Sequence, residues 1–423
     1  MLQYSKKERA IAGLLSSMPL LKTVVKRLYV TLNYFIYNSK VPYKIYDNRI
    51  KILESIHQGN DETFFGYYDK SPENANGEII YSCASIKTAH RPSAKNKISI
   101  HLYDPTKKED IAIDDSYSYN WQQSCRTIWL DNDCFIYNVY ENNKYCSKVF
   151  NIRDRKIVRT FDRPVQDAFG KQYYLSINYR RIMRLRPDYG YRNLPVYSDK
   201  ELGSLNDDGI WKVDYNTGIS TLIISLEELT RLAPKQGFAS AFHKLNHVMI
   251  SPDGKKFIFI HRWYISGRRY DRLIISDGRT HKILADEDMV SHMCWVNNST
   301  LFGYLRYNGE NGFYFINIEN GLVTPCDTVN KMQTADGHPS CYGDWIVFDS
   351  YPDKSGMQKL HLYNHRTQAI YKLLEVKHSP RYFGETRCDL HPRFSLNGER
   401  VYFDSVRTGR RSLCFIDVSC IIN

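Results

Sequence analysis

The chain has 423 residues, enough for two or three domains or for one long closed repeat. Its 33 Tyr and 19 Phe, with many Ile and Val, favour strands over helices, and a formal net charge of +12 favours polyanionic partners. No RNP, zinc-finger or helix-turn-helix pattern is present, so no nucleic acid is expected, and acidic polysaccharides or anionic lipid faces stand first.

Residues 1–40 differ from the rest. After Ser5-Lys6-Lys7-Glu8-Arg9, the run AIAGLLSSMPLL imitates a signal peptide, yet Lys22, Lys26 and Arg27 follow at once and no small-residue cleavage site is present. The uncharged run over 10–21 is too short to span a bilayer. Leu14, Leu15, Leu21, Val25, Leu28 and Leu32 fall on or near one side of a basic amphipathic helix. Such a helix either caps the main domain or makes a peripheral contact with an anionic membrane.

From residue 64 a simple phrase recurs: a turn rich in Asp, Asn or Gly, then a strand ending in Asp, Ser or Asn. It reads SPENANGEIIYS from Ser71, WLDNDCFIYN from Trp129, DAFGKQYYLSIN from Asp167 and SPDGKKFIFIH from Ser251. WVNNSTLFGY from Trp295, CYGDWIVFDS from Cys341 and FSLNGERVYFDS from Phe394 bring the number of copies to seven. Several copies are trailed by a second hairpin, as in WKVDYNTGISTLI at Trp211. A four-stranded unit of roughly 40 to 55 residues is a propeller blade. The expected fold is therefore all-β, a seven-bladed β-propeller over 46–423 behind a helical segment over 1–45. The ring should close by joining the two ends of the chain.

The third unit is stretched by NYRRIMRLRPDYGYRNLP and SLEELTRLAPKQGF. Insertions on a rigid scaffold are where function accumulates. Arg184 and Arg186 offer guanidinium groups to carboxylates, and Tyr189 and Tyr191 offer phenols that stack on sugars or donate a proton. FFGYYDKSP, from Phe64, opens the first unit and could reach the same face.

Histidines fall into two sets. His243, His247 and His261 flank one hairpin whose turn is Ser251-Pro252-Asp253-Gly254, which should bring them to one rim as candidate general base or acid. His292, His338 and His391 each precede a unit's phrase, so they hold equivalent places that converge on the centre of a ring. They are candidate ligands for a divalent metal (Mn, Zn or Ca), or else structural imidazoles donating to a neighbouring carbonyl. Arg262 and Arg393 complete the candidate substrate-binding set. His57, His90, His101, His281, His361, His365 and His378 lack a recurring context and are expected at the surface. Ten cysteines lie scattered without a CxxC pair, which points to free buried thiols in a reducing, cytoplasmic setting, with the basic helix at the inner face of the membrane.

The phrases FGYYDKSP, YNWQQSCRTIW, DRPVQDAFGKQYYLSINYRRIMRLRPDYGY, HKLNHVMISPDG with FIHRW, VSHMCW, DGHPS and DLHPRFSLNGERVYFDS together resemble the seven-bladed propeller group of oligogalacturonate lyases and ulvan lyases. The resemblance implies β-elimination at a uronic acid. It places His292, His338 and His391 at the metal, His261 or His247 at the base, and Arg186 with Tyr189 or Tyr191 where ulvan-type members keep arginine and tyrosine. Gln333 is offset from the glutamine that completes the lyase metal site. The alternative class is a non-catalytic carbohydrate-binding or scaffold propeller, or a transferase, in assembly of a surface polysaccharide.

Overall fold

The computed structural model describes residues 19–37, 41–54 and 59–422. Seven antiparallel sheets follow one another along the chain, five of them built wholly from consecutive strands. Blade 1 runs from Glu62–Phe64 to Glu109–Ser116, blade 2 from Ile128–Trp129 to Lys156–Phe161, and blade 3 from Asp167–Phe169 to Ser220–Ser225. Blade 4 runs from Phe242–Ile250 to His281–Ala285 and blade 5 from Val290–Trp295 to Val323–Pro325. Blade 6 starts at Ser340–Tyr342 and blade 7 at Arg393–Phe394. Each repeated phrase holds the turn after an innermost strand and the second strand.

Both chain ends enter one blade. Leu53–Glu54 pairs with Ser412–Asp417 as the outermost strand of blade 7, so the first residues close the last sheet. Tyr43–Ile45, within the stretch assigned from sequence to the helical segment, adds a fifth strand to blade 6.

In blades 2, 6 and 7 a polar residue in the latter half of the second strand latches the next blade. Asp404 accepts from the backbone N–H of Phe65 at 3.2 Å and of Gly66 at 2.9 Å. Asn138 accepts from Val165 N–H at 2.6 Å and donates to its carbonyl at 2.9 Å. Such side chains satisfy backbone groups where the ladder stops. Apolar strand faces then pack blade on blade: Ile258, Ile260 and Leu273 of blade 4 share one core with Val290, Leu301 and Leu305 of blade 5. Burying each such side chain contributes about 1.5 to 3 kcal/mol.

The insertion of blade 3 begins with helix α2, Tyr179–Leu185, named after the N-terminal helix α1, Pro19–Tyr37. Asn178 caps α2, accepting from Arg180 N–H at 3.0 Å and Arg181 N–H at 3.2 Å. Buried Arg181 then anchors the insertion to blade 4 by donating to the His243 carbonyl at 3.1 Å.

Of the amphipathic face expected on α1, Leu14 and Leu15 lie outside the described residues, and Leu21, Leu28 and Leu32 are exposed. The helix meets the propeller instead through Tyr34, beneath Lys377 at 5.2 Å, and Lys26, over Phe383 at 5.7 Å. Among the described residues, no helix is long and apolar enough to cross a membrane. All ten cysteines are free; Cys341 is half-buried, Cys420 is exposed and the others are buried. Two histidines expected at the surface are buried, His361 against the Phe348 ring at 5.2 Å and His378, which accepts from Cys388 N–H at 3.4 Å. His57 lies outside the described residues.

Candidate active site at the channel mouth

Four imidazoles from successive blades form a row where the innermost strands begin. His247 meets His292 with ring centres 5.2 Å apart, His292 meets His338 at 4.0 Å, and His338 meets His391 at 4.3 Å. Equivalent positions on successive blades thus converge, as the repeat predicts. Two residues from the loop entering blade 1 close the group: the Tyr68 ring lies 5.5 Å from His338, and Tyr67 lies 5.1 Å from His391 and stacks on His247 at 5.6 Å.

His247 reaches this row because of a local irregularity. The pairing of the first two strands of blade 4 shifts between Asn246 and Met249, and His247 adopts φ 52°. A bulge with a left-handed residue re-aims a side chain at some energetic cost. Of the hairpin trio, only His247 joins the channel row.

His243 and His261 face the other way, as a separate buried pair. Arg272 Nε donates to His261 Nδ1 at 3.1 Å. His261 must therefore carry its proton on Nε2, which donates to His243 Nδ1 at 3.0 Å. His243 Nε2–H ends the chain on the Phe238 carbonyl at 3.2 Å. All four ring nitrogens are committed, and none is left for a substrate.

The channel row is wired differently. His338 Nδ1 lies 2.9 and 3.0 Å from the Asp349 carboxylate oxygens, and His391 Nδ1–H donates to the Gly66 carbonyl at 2.7 Å. Asp349 also accepts the backbone N–H of His338 at 2.7 Å and of His391 at 3.1 Å. In the neutral rings the proton sits on Nδ1 and Nε2 presents a lone pair, and among the described residues both Nε2 atoms are buried without a hydrogen-bond partner. Histidine ligands of metals are oriented in this way by carboxylates and carbonyls. Asp389 completes the tightest donor set: one ligand atom each from His338, Asp389 and His391 lie within 4.8 Å of one another. His292 lies alongside, its ring centre 4.0 Å from that of His338 and its Nδ1 3.1 Å from Asp336 and 3.2 Å from Ser291 Oγ. Gln333 donates its amide N–H groups to the carbonyls of Ala335, Asp336 and Asp349, the last at 2.8 Å, while among the described residues its Oε1 is buried without a hydrogen-bond partner.

Charge around the row is strongly biased. Burial holds His247, His292 and His391 well below the ordinary imidazole range, so they are neutral. For His338 burial opposes the proton, but Asp349 outweighs it and raises the pKa. Burial also opposes ionisation of Asp389, yet Arg387, whose Nε donates at 2.7 Å, keeps the carboxyl far below the carboxylate range. Arg387 reaches Asp188 at 2.6 Å and the Tyr189 hydroxyl at 3.2 Å, while Arg186 lies over the Tyr189 ring at 5.0 Å. Tyr67 bonds His247 Nδ1 through its hydroxyl, and burial raises the pKa of both Tyr67 and Tyr189.

The remaining candidates lie apart. Tyr191 stacks on Tyr179 at 4.2 Å and accepts from Asn138 at 2.8 Å, inside the core. Arg184 is exposed and pairs with Asp199 at 2.9 Å. Arg393 is buried against Asp404 at 2.8 Å and the His391 carbonyl at 2.8 Å, a support for the loop carrying His391. Arg262 is buried beside Asp271. Sequence reasoning missed Asp349, Asp389 and Arg387, and reached Tyr67 and Tyr68 only as part of FFGYYDKSP. The spacing Asp389-x-His391, which repeats Asp336-x-His338, is the signal that could have found Asp389.

Fold and site together define a seven-bladed propeller with a histidine-lined mouth. No protein-family model and no curated protein matches the sequence. Among solved structures, the oligogalacturonate lyase from Vibrio parahaemolyticus superposes with TM-score 0.59 and 15% identity, over 89% of this chain and 96% of that one. An oligogalacturonate lyase in complex with manganese does so with TM-score 0.59 and 14% identity, over 90% of this chain and 97% of its own. At such identities the likeness establishes the fold. The ulvan lyase part of the resemblance rests on sequence phrases alone.

Proposed function

We propose that the protein cleaves an acidic, uronic-acid-containing oligosaccharide by β-elimination, with a divalent cation as cofactor. The observation that carries this reading is the pair of buried, unpartnered Nε2 atoms on His338 and His391 beside Asp389. Buried polar atoms are nearly always satisfied, and two imidazoles with a carboxylate suit Zn or Mn. The donor set therefore fits a metal, and the likeness to a manganese-bound oligogalacturonate lyase supports that choice. His338, His391 and Asp389 would hold the ion, with His292 against them. A cation there supplies electron withdrawal from a C6 carboxylate.

This chain's own residues supply the rest. Arg186 and Arg387 present guanidinium groups to the same carboxylate. Neutral His247, with its Nδ1–H donated to the Tyr67 oxygen, takes the C5 proton on Nε2; the C–H electron pair becomes the C4=C5 double bond as the C4–O bond breaks. Tyr67 or Tyr189, kept protonated by burial, gives its proton to the departing oxygen. Incubating purified protein and Mn with a panel of uronate polymers should release unsaturated uronate, read by its ultraviolet absorbance. No product from any polymer would overturn the lyase reading.

A second reading, a binding or scaffold propeller without chemistry, is favoured by α1. Leu21, Val24, Leu28, Leu32 and Phe35 are exposed on it, next to Lys26 and Arg27, which is a face suited to peripheral attachment at an anionic membrane. It predicts saccharide binding with no product, and loss of vesicle binding when residues 1–40 are deleted.

A further inference from the structure

Blade 4 carries a second charged row, on the sheet face opposite the His243–His261 pair. Register sets Lys244 beside Arg262 and Arg262 beside Asp271, with Tyr264 beside Arg269 in the next row outward. Arg186 and Asp188 of the insertion border this row, close enough to act electrostatically on Lys244, and Arg186 acts likewise on Arg269 and Tyr264. Three guanidinium groups, Arg186, Arg262 and Arg269, together with the Lys244 amine, thus face two carboxylates, Asp188 and Asp271. Asp188 is moreover shared with Arg387 at 2.6 Å.

The imbalance is greatest where water is excluded. Lys244 and Arg262 are 0% and 2% exposed. Among the described residues, Lys244 has the Asn246 amide as its hydrogen-bond partner and no carboxylate, and Arg262 Nη1 has no partner at all. Burial, and then the charge of Arg262, pushes the pKa of both Lys244 and Arg269 down. A buried excess of positive charge is unfavourable until an anion joins it. The half-exposed side chains of Arg186, Tyr264 and Arg269 form the rim through which one would enter.

We propose that this row is a second oxyanion-binding site, taking a carboxylate, sulfate or phosphate beside the group bound at the channel histidines. Its role as a substrate subsite rests on the lyase reading above; the anion site itself does not. The substrate class narrows accordingly to saccharides bearing two acidic groups within reach of one another, on one sugar or on neighbours.

The test needs no turnover. Full-length protein is titrated with sodium sulfate against sodium chloride at matched ionic strength while its melting temperature is followed. Binding to the folded state raises that temperature saturably. Sulfate should do so in the unaltered protein, with the midpoint moved about tenfold higher in Arg269→Ala, as expected for loss of one charge-assisted bond. In Arg262→Met the sulfate response should vanish. Should that variant fail to fold, Arg269→Ala at the exposed rim still decides the matter. An equal sulfate response in the unaltered protein and Arg269→Ala overturns the site. A sulfate response abolished by these changes, in a protein that releases no unsaturated uronate, establishes the anion site and removes only the lyase reading. Where elimination is found, Arg269→Ala should lower kcat/KM for di-acid relative to mono-acid oligosaccharides by about tenfold. Sulfated and uronate oligosaccharides as competitors separate the possible sources of the oxyanion.

Discussion

The two histidine groups are buried almost equally, yet the fold leaves them opposite capacities. His243 and His261 are 0% exposed and pass hydrogen bonds from Arg272 to the Phe238 carbonyl, with every ring nitrogen used. His338 and His391 are 1% and 2% exposed, and each has one nitrogen pinned and the other bare. What decides whether a buried imidazole can act is therefore the partner of its second nitrogen. Burial keeps His243, His261 and His391 neutral, whereas Asp349 raises the pKa of His338.

The sharpest way to break this contrast is to remove one histidine from each group. His391→Ala should abolish stoichiometric metal retention and lower elimination by at least about 10³-fold with the melting temperature nearly unchanged in the metal-free state. His261→Ala should do the reverse, costing about 2 to 3 kcal/mol of stability because Arg272 Nε and His243 Nδ1 lose their partner, while metal content stays the same. Equal effects of the two changes on metal content would dissolve the distinction.

His247 tests which side of the comparison a single strand can serve. It lies four residues from His243, yet the bulge turns it to the channel. His247→Gln should lower kcat by about 10² to 10⁴ with metal retained, the range for loss of a general base. A smaller step is Asp349→Asn, which leaves both histidines in place but withdraws the carboxylate that fixes the His338 tautomer. Metal affinity should fall about 10- to 100-fold, measured by competition with a chelator.

Acid sharpens the structural half. Burial depresses His243 to about 4 against an ordinary 6.5. As pH falls, the unfolded chain takes up this proton first, so the stability is fully present above about 6.5 and is lost as pH falls towards 4. The loss from this residue amounts to about 3 kcal/mol. His378, depressed by burial to about 4, adds in the same direction. Urea unfolding at successive pH values should show the decline, and a flat profile would contradict the buried neutral assignment.

The fold was legible because each turn, inner strand and terminal polar residue repeats in seven phrases, and blade closure follows from a ring. The convergence of His292, His338 and His391 was legible for the same reason: equal places on successive blades meet. The grouping of His243, His247 and His261 was not, because strict alternation along residues 242–250 conceals the bulge that sends His247 to another face. Asp349 and Arg387 were hidden for a different cause. Asp349 ends an apolar strand and looks like any latch in the repeat, and Arg387 meets Asp188 across 199 residues of chain.

The central claim is that His338 and His391 keep their Nε2 atoms free for a divalent cation, and a crystal structure of protein grown with manganese or zinc tests it most directly. Anomalous scattering should place one ion within about 2.0 to 2.2 Å of both Nε2 atoms, with Asp389 as a further ligand. Saturating metal with no ion at that position, and ordered water on both nitrogens instead, would contradict it.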